Sequence, residues 1–176
     1  MNIELDKIID VLLNGGVVAI PTDTVYGLIA LYGNKVGYEK IYKIKNRPKD
    51  KKLILFIDKI EKINDFCDNI DAELNKYLNS IWPGDVTVIL KAKDNSTLGF
   101  RIPDNKLILD IISKLDTPLY STSANISGIN PVVRSEDLDA NIIKNVDYVV
   151  KGTCKTGKPS TIIDMSNNKF KNIIRK

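Results

Sequence analysis

The chain has 176 residues, 43% hydrophobic and 27% charged, which suits one compact domain over residues 1–176 whose core needs no disulfides. With no apolar run long enough to cross a bilayer, no basic-then-apolar leader and two distant cysteines, Cys67 and Cys154, a cytoplasmic protein without membrane contact is expected. Histidine is absent, which excludes Ser-His-Asp and Cys-His units and H-E-x-x-H zinc sites, so no metal site of the protein's own is expected, and the net charge of +4 admits anionic ligands without demanding nucleic acid.

Leu5, Ile8, Ile9, Leu12 and Leu13 recur at helical spacing, and Gly15-Gly16 closes that helix. Val17-Val18-Ala19-Ile20, stopped by Pro21, reads as a buried strand. Residues 37–45 read as a helix that ends before Pro48, and residues 53–57 as a second buried strand. Helical patterns follow at 60–67 and 72–81, then Trp82-Pro83-Gly84 turns into a strand at 86–90. Residues 98–102 predict a strand, 107–115 a helix and 119–123 a strand that runs into a polar loop. Ser135 is the expected N-cap of a short helix carrying Leu138, Ile142 and Ile143, and late strands are expected at 148–150, 161–163 and 170–174. Strands alternate with helices first and pair like hairpins later, so the expected class is α/β: a mixed sheet with helices packed on it.

Four polar stretches fall at the ends of these strands, where open α/β sheets build ligand sites. In Pro21-Thr22-Asp23-Thr24-Val25-Tyr26-Gly27-Leu28, hydroxyls and one carboxylate crowd a loop; they serve either as turn caps or as ligand contacts. Lys45-Asn46-Arg47-Pro48, with Lys49, Lys51 and Lys52 following, is a basic turn at the surface. If it is extended, Lys45 and Arg47 point to one side and hold one anion; otherwise it is a solvated charge cluster. Ser121-Thr122-Ser123-Ala124-Asn125-Ile126-Ser127-Gly128 offers small hydroxyls and an amide that suit phosphate oxygens or an ordinary polar turn. It is not a Walker A loop. Gly157-Lys158-Pro159-Ser160-Thr161 reads first as a turn before a strand.

In this order, and with Trp82-Pro83-Gly84, Arg101-Ile102-Pro103, Pro159-Ser160-Thr161-Ile162-Ile163-Asp164 and Arg175, the stretches resemble the YrdC family, the L-threonylcarbamoyladenylate synthases, over nearly the whole chain. The resemblance implies a single-domain twisted α/β sheet with a concave basic face. It implies a nucleotidyltransferase that makes threonylcarbamoyl-AMP and pyrophosphate from L-threonine, bicarbonate or CO2, and ATP with Mg2+. It further implies a downstream transferase that modifies tRNA beside the anticodon, and it admits direct contact with tRNA. By position, Lys45, Arg47, Ser123 and Asn125 match the family's catalytic quartet. Thr24, Arg101, Ser121 and Ser160 match the threonine site, with Arg101 on the carboxylate. Arg47, Lys51, Thr97, Ser123 and Arg175 match the ATP contacts.

The chain departs from the family at Lys51-Lys52, at Phe56 where a histidine is usual, at Asp85 where proline is usual, and at Ile129-Asn130-Pro131-Val132-Val133. With its last residues just after Arg175, it is expected to lack the further domain of long members. The alternative reading is a divergent paralogue, or a module binding double-stranded RNA or tRNA on the same face without this reaction.

Overall fold

The computed structural model describes residues 3–68, 70–167 and 172–175. Helix α1 (Ile3–Leu13) turns its Ile8, Ile9 and Leu12 inward and stops at Gly15, whose φ of 77° suits the end of a helix. Strand β1 (Val18–Ile20) follows. The chain then crosses a six-residue loop, 21–26, and returns antiparallel as β2 (Gly27–Leu31). Residues 27 and 28, expected in the loop, belong to this strand, which the sequence pattern does not predict. Gly27-Leu28-Ile29-Ala30 is buried on both faces, so no polar alternation announces it.

Helix α2 (Lys35–Lys45) is capped by the Asn34 side chain, which accepts from Val36 and Gly37 N–H. It ends at Asn46 in the left-handed region, φ 52°. Strand β3 (Ile54–Phe56) leads into a 3-10 turn at Ile60–Asp65 where an α-helix was expected, then α3 (Ala72–Ile81). Strands β4 (Val86–Lys91) and β5 (Thr97–Arg101) form an antiparallel hairpin. Helix α4 (Lys106–Leu115) is capped by Asn105, and β6 (Leu119–Ser123) follows.

Ser135 opens a short 3-10 turn (Ser135–Asp137) rather than capping a helix. The helix that carries Ile142, α5 (Ala140–Asn145), is capped by Asp139, whose carboxylate accepts from Asn141 N–H. A carboxylate directly before the first turn leaves Ser135 too far upstream for that role. Strands β7 (Tyr148–Val149), β8 (Thr161–Asp164) and β9 (Asn172–Arg175) complete the chain. The expected strand at 170–174 is therefore β9 as far as it falls on described residues; 170 and 171 lie outside them.

Among the described residues, nine strands make one mixed sheet in the order β7-β1-β2-β6-β3-β5-β4-β8-β9. Its two faces are covered unequally. On one face Leu28 packs with Ile41 and Tyr42 of α2, while Leu55, Val88 and Phe100 pack with Ile63 and Leu78. On the other, Ile8 and Leu12 of α1 and Ile108, Ile111 and Ile112 of α4 cover Val18, Ile29 and Phe56. Each such fully buried side chain contributes roughly 1.5–3 kcal/mol. Within this second cluster the cover comes from α1 and α4 and reaches only as far as Phe56 of β3. Among the described residues no helix is long and apolar enough to cross a membrane.

Candidate active site

The partly uncovered face can be read strand by strand from the register. Ser121 pairs with Ile54, and Phe56 with Arg101, so these four share a face. Val88 pairs with Phe100, which puts Thr87 beside Arg101 on that same face. Thr87 pairs with Ile162, and Ile162 with Arg175. A row of hydroxyl, aromatic and guanidinium side chains thus runs from β6 to β9.

Above this row lies a cavity of about 300 Å3. All four polar stretches contribute to its walls: Thr22 and Thr24; Arg47 and Lys52; Ser123 and Asn125; Pro159 and Ser160. The sheet adds Ser121, Phe56, Arg101, Thr87 and Arg175. Its described lining carries four cations and no carboxylate. These residues come from stretches spread between positions 22 and 175, and the sheet order brings them together.

Arg101 is 2% exposed. Its Nε donates to Gly84 O at 2.8 Å, one terminal nitrogen to Thr24 Oγ1 at 3.1 Å, and the other to the Asp23 carboxylate. The remaining Asp23 oxygen accepts from Asp104 N–H at 3.2 Å. A guanidinium has five N–H groups, so two stay without a partner among the described residues, one on each terminal nitrogen. Both are donors that a carboxylate or phosphate can take. The Arg101 guanidinium also lies 5.6 Å from the Phe56 ring centre, in cation–π contact.

Opposite, the Ser160 and Thr87 hydroxyls are 3.0 Å apart, and Arg175 donates to Ser160 O at 2.9 Å and to its Oγ at 3.2 Å. Burial and the neighbouring Arg101 hold the Arg175 guanidinium below its ordinary pKa. Two cations facing one cavity favour an anion between them.

Lys45 departs from expectation. It ends α2, and the left-handed Asn46 turns the chain, so Lys45 and Arg47 are not two residues of one extended segment. Nor is Lys45 part of an exposed turn, being 1% exposed. Its ammonium donates to Ser123 O at 2.5 Å, Asn125 O at 2.6 Å and Asn125 Oδ1 at 3.3 Å. Three acceptors match its three protons. Burial, and then the charge of Arg47, pull its pKa down to about 7. Lys45 therefore holds the 123–125 loop, while Arg47 lines the cavity and is itself held by Lys51 O and Lys52 O at 2.8 and 3.0 Å.

Ser121, Ser123, Asn125, Thr24, Ser160 and Arg175 all reach the cavity. Thr97 and Lys51 do not line it. Thr97 shares Arg101's face but stands exposed at the far end of β5, and Lys51 is exposed. Thr87 has no place in the sequence expectation, and Asp23 and Lys52 appear there only as members of their stretches, without a place among the site residues. Thr87 carried a signal, a lone hydroxyl between valines in a strand; the partner of Asp23 carried none, because it lies 78 positions away. Among the described residues no group of three or more Cys, Asp or Glu is placed to hold a metal ion.

The Sua5/YciO/YrdC family model, described as "Telomere recombination", matches residues 10–176. The chain belongs to the Sua5/YciO/YrdC family. It is 37% identical over 173 residues to a putative threonylcarbamoyl-AMP synthase of Methanocaldococcus jannaschii, covering 90% of this chain and 79% of that one. To the threonylcarbamoyl-AMP synthase of Bacillus subtilis it is 33% identical over 166 residues, covering 86% of this chain and 47% of the relative. P. abyssi Sua5, solved in complex with L-threonine, has the same fold: TM-score 0.88 at 24% identity, over 99% of this chain and 54% of that one. This Sua5/YciO/YrdC chain thus spans about half the length of the latter two.

Proposed function

We propose that this protein is a threonylcarbamoyl-AMP synthase, an enzyme that transfers an adenylyl group to carboxylated L-threonine. The observation that carries the reading is the convergence of all four polar stretches on one cavity with arginines on both sides and hydroxyls between them. The relatives' names and the threonine bound to P. abyssi Sua5 support it.

In this reading the free N–H donors of Arg101 take the threonine carboxylate, beside Thr24, Ser121 and Ser160. The deprotonated α-amine bonds to the carbon of CO2 and gives up a proton to water, or to that of bicarbonate with loss of water, and becomes a carbamate. A carbamate oxygen then forms a bond to the α-phosphorus of ATP, and the bond to the bridging oxygen breaks to release pyrophosphate. Arg47, Ser123 and Arg175 stabilise the charge that builds on the phosphates. Lys45 acts through the loop it holds, with Asn125, and Lys51 and Thr97 are left as contacts of any nucleotide portion outside the cavity. Mg2+ would enter on the phosphates of ATP, neutralising their charge and needing few protein carboxylates. The product would pass to a transferase that modifies tRNA.

Purified protein is expected to release pyrophosphate from ATP and Mg2+ only when L-threonine and bicarbonate are both present, with threonylcarbamoyl-AMP detected by mass spectrometry. Release that ignores threonine would reject this reading.

A further inference from the structure

Hydrogen-bond direction in the first loop can be assigned proton by proton. The Thr22 hydroxyl lies 2.8 Å from Val25 O, and a carbonyl only accepts, so the single Thr22 proton goes there. Thr22 Oγ1 is also 2.9 Å from Thr24 Oγ1 and accepts from Thr24 N–H at 3.0 Å. With Thr22's proton already committed, the hydroxyl pair is held by Thr24's proton, pointing to Thr22. Thr24 Oγ1 meanwhile accepts from Arg101 at 3.1 Å. What Thr24 has left for a ligand is one lone pair and no proton. Both threonines are buried, at 4% and 2% exposure, so water does not readily reset this pattern.

We infer that Thr22 is a positioning residue that fixes Thr24 as an acceptor, so that the site takes a donor there, the α-amine N–H of the amino acid. Arg101, which would take the carboxylate, donates to Thr24 Oγ1 at 3.1 Å, so an amino acid held on Arg101 has Thr24 as its immediate neighbour. An acceptor-only Thr24 repels a misplaced carboxylate and draws the amine. This inference rests on the synthase reading for the identity of the amino acid.

The test is binding, measured by competition in ligand-observed NMR, of L-threonine and of (R)-3-hydroxybutyrate, which has the same skeleton without the amine. Thr22→Val keeps shape and removes the acceptor; Thr22→Ser keeps the acceptor. In T22V, threonine binding is expected to weaken roughly tenfold, the scale of one lost buried hydrogen bond, while the hydroxy acid holds within about twofold or tightens. T22S should bind threonine like the parent. Melting temperatures of both variants establish that each is folded. Equal losses for the two ligands, no loss for threonine, or a T22S as weak as T22V would overturn the inference while leaving the synthase reading in place. A parent protein that binds neither ligand, with ATP present or absent, would overturn both.

Discussion

At the scale of single residues, Lys45 separates position in the sequence from role in the fold. A lysine beside an arginine looks like half of an anion clamp, yet its ammonium is buried on three oxygens of the 123–125 loop. Its pKa falls from 10.5 to about 7 as burial, then Arg47, disfavours the charge. Between those two values the unfolded chain binds a proton that the folded chain has released, so this group makes stability rise with pH across that window. Below about 7 both states are protonated and the contribution is flat. Lys45→Met removes the titration. Urea midpoints at pH 7, 8.5 and 10 should therefore climb for the parent relative to the variant, at up to about 1.4 kcal/mol per pH unit. A constant gap between the two proteins would mean that Lys45 keeps its proton throughout. Turnover of the variant should fall as well, through a loop that has lost its tether.

At the scale of elements, α4 does two jobs through one side chain. Asn105 Oδ1 caps the helix on Ile108 N–H at 3.1 Å, and its Nδ2 donates to Pro21 O at 3.1 Å, at the root of the Thr22–Thr24 loop. Asn105→Ala should cost about 0.5–2 kcal/mol, the usual loss of a cap. Asn105→Asp keeps the cap and loses the bond to Pro21, so it should melt close to the parent yet bind threonine more weakly. Calorimetry paired with threonine titration separates the two roles; an N105D that binds like the parent would detach the loop from the helix. The same elements show what the sequence made legible. Helices α1, α3 and α4 announced themselves by apolar spacing, and β1, β3 and β4 by short apolar runs. Strand β2 did not, since Gly27-Leu28-Ile29-Ala30 is buried on both faces and follows a polar loop without punctuation. The 3-10 turn at Ile60–Asp65 was indistinguishable from a helix, because Ile60 and Ile63 fit either spacing. The four loops were legible as polar stretches. That they share one cavity was legible only through the family resemblance and not from the residues themselves, because strand order rather than sequence order makes them neighbours.

At the scale of the whole molecule, one buried ion pair ties the two sides of the site together. Arg101, on β5, reaches across to Asp23 in the β1–β2 loop, to Thr24 beside it, and back to Gly84 ahead of β4. Asp23 also takes Asp104 N–H, just before α4. Both side chains are nearly fully buried, at 3% and 5% exposure. Desolvating two charges offsets much of what their attraction returns, so the pair adds modestly to stability as a pair. Removing one partner is different, because the other is left charged, buried and uncompensated, at a cost of about 3–5 kcal/mol. A domain of this size shifts its melting temperature by roughly 2–4 °C per kcal/mol, so Asp23→Ala should melt on the order of 10 °C lower. Asp23→Leu combined with Arg101→Met exchanges the pair for apolar side chains. It should recover a substantial part of that loss while binding no threonine, because the donors to the carboxylate are gone. Calorimetry of the single and double variants decides the matter. If the double variant melts no higher than Asp23→Ala, the two charges are not coupled, and the loop and the sheet are held together by packing alone.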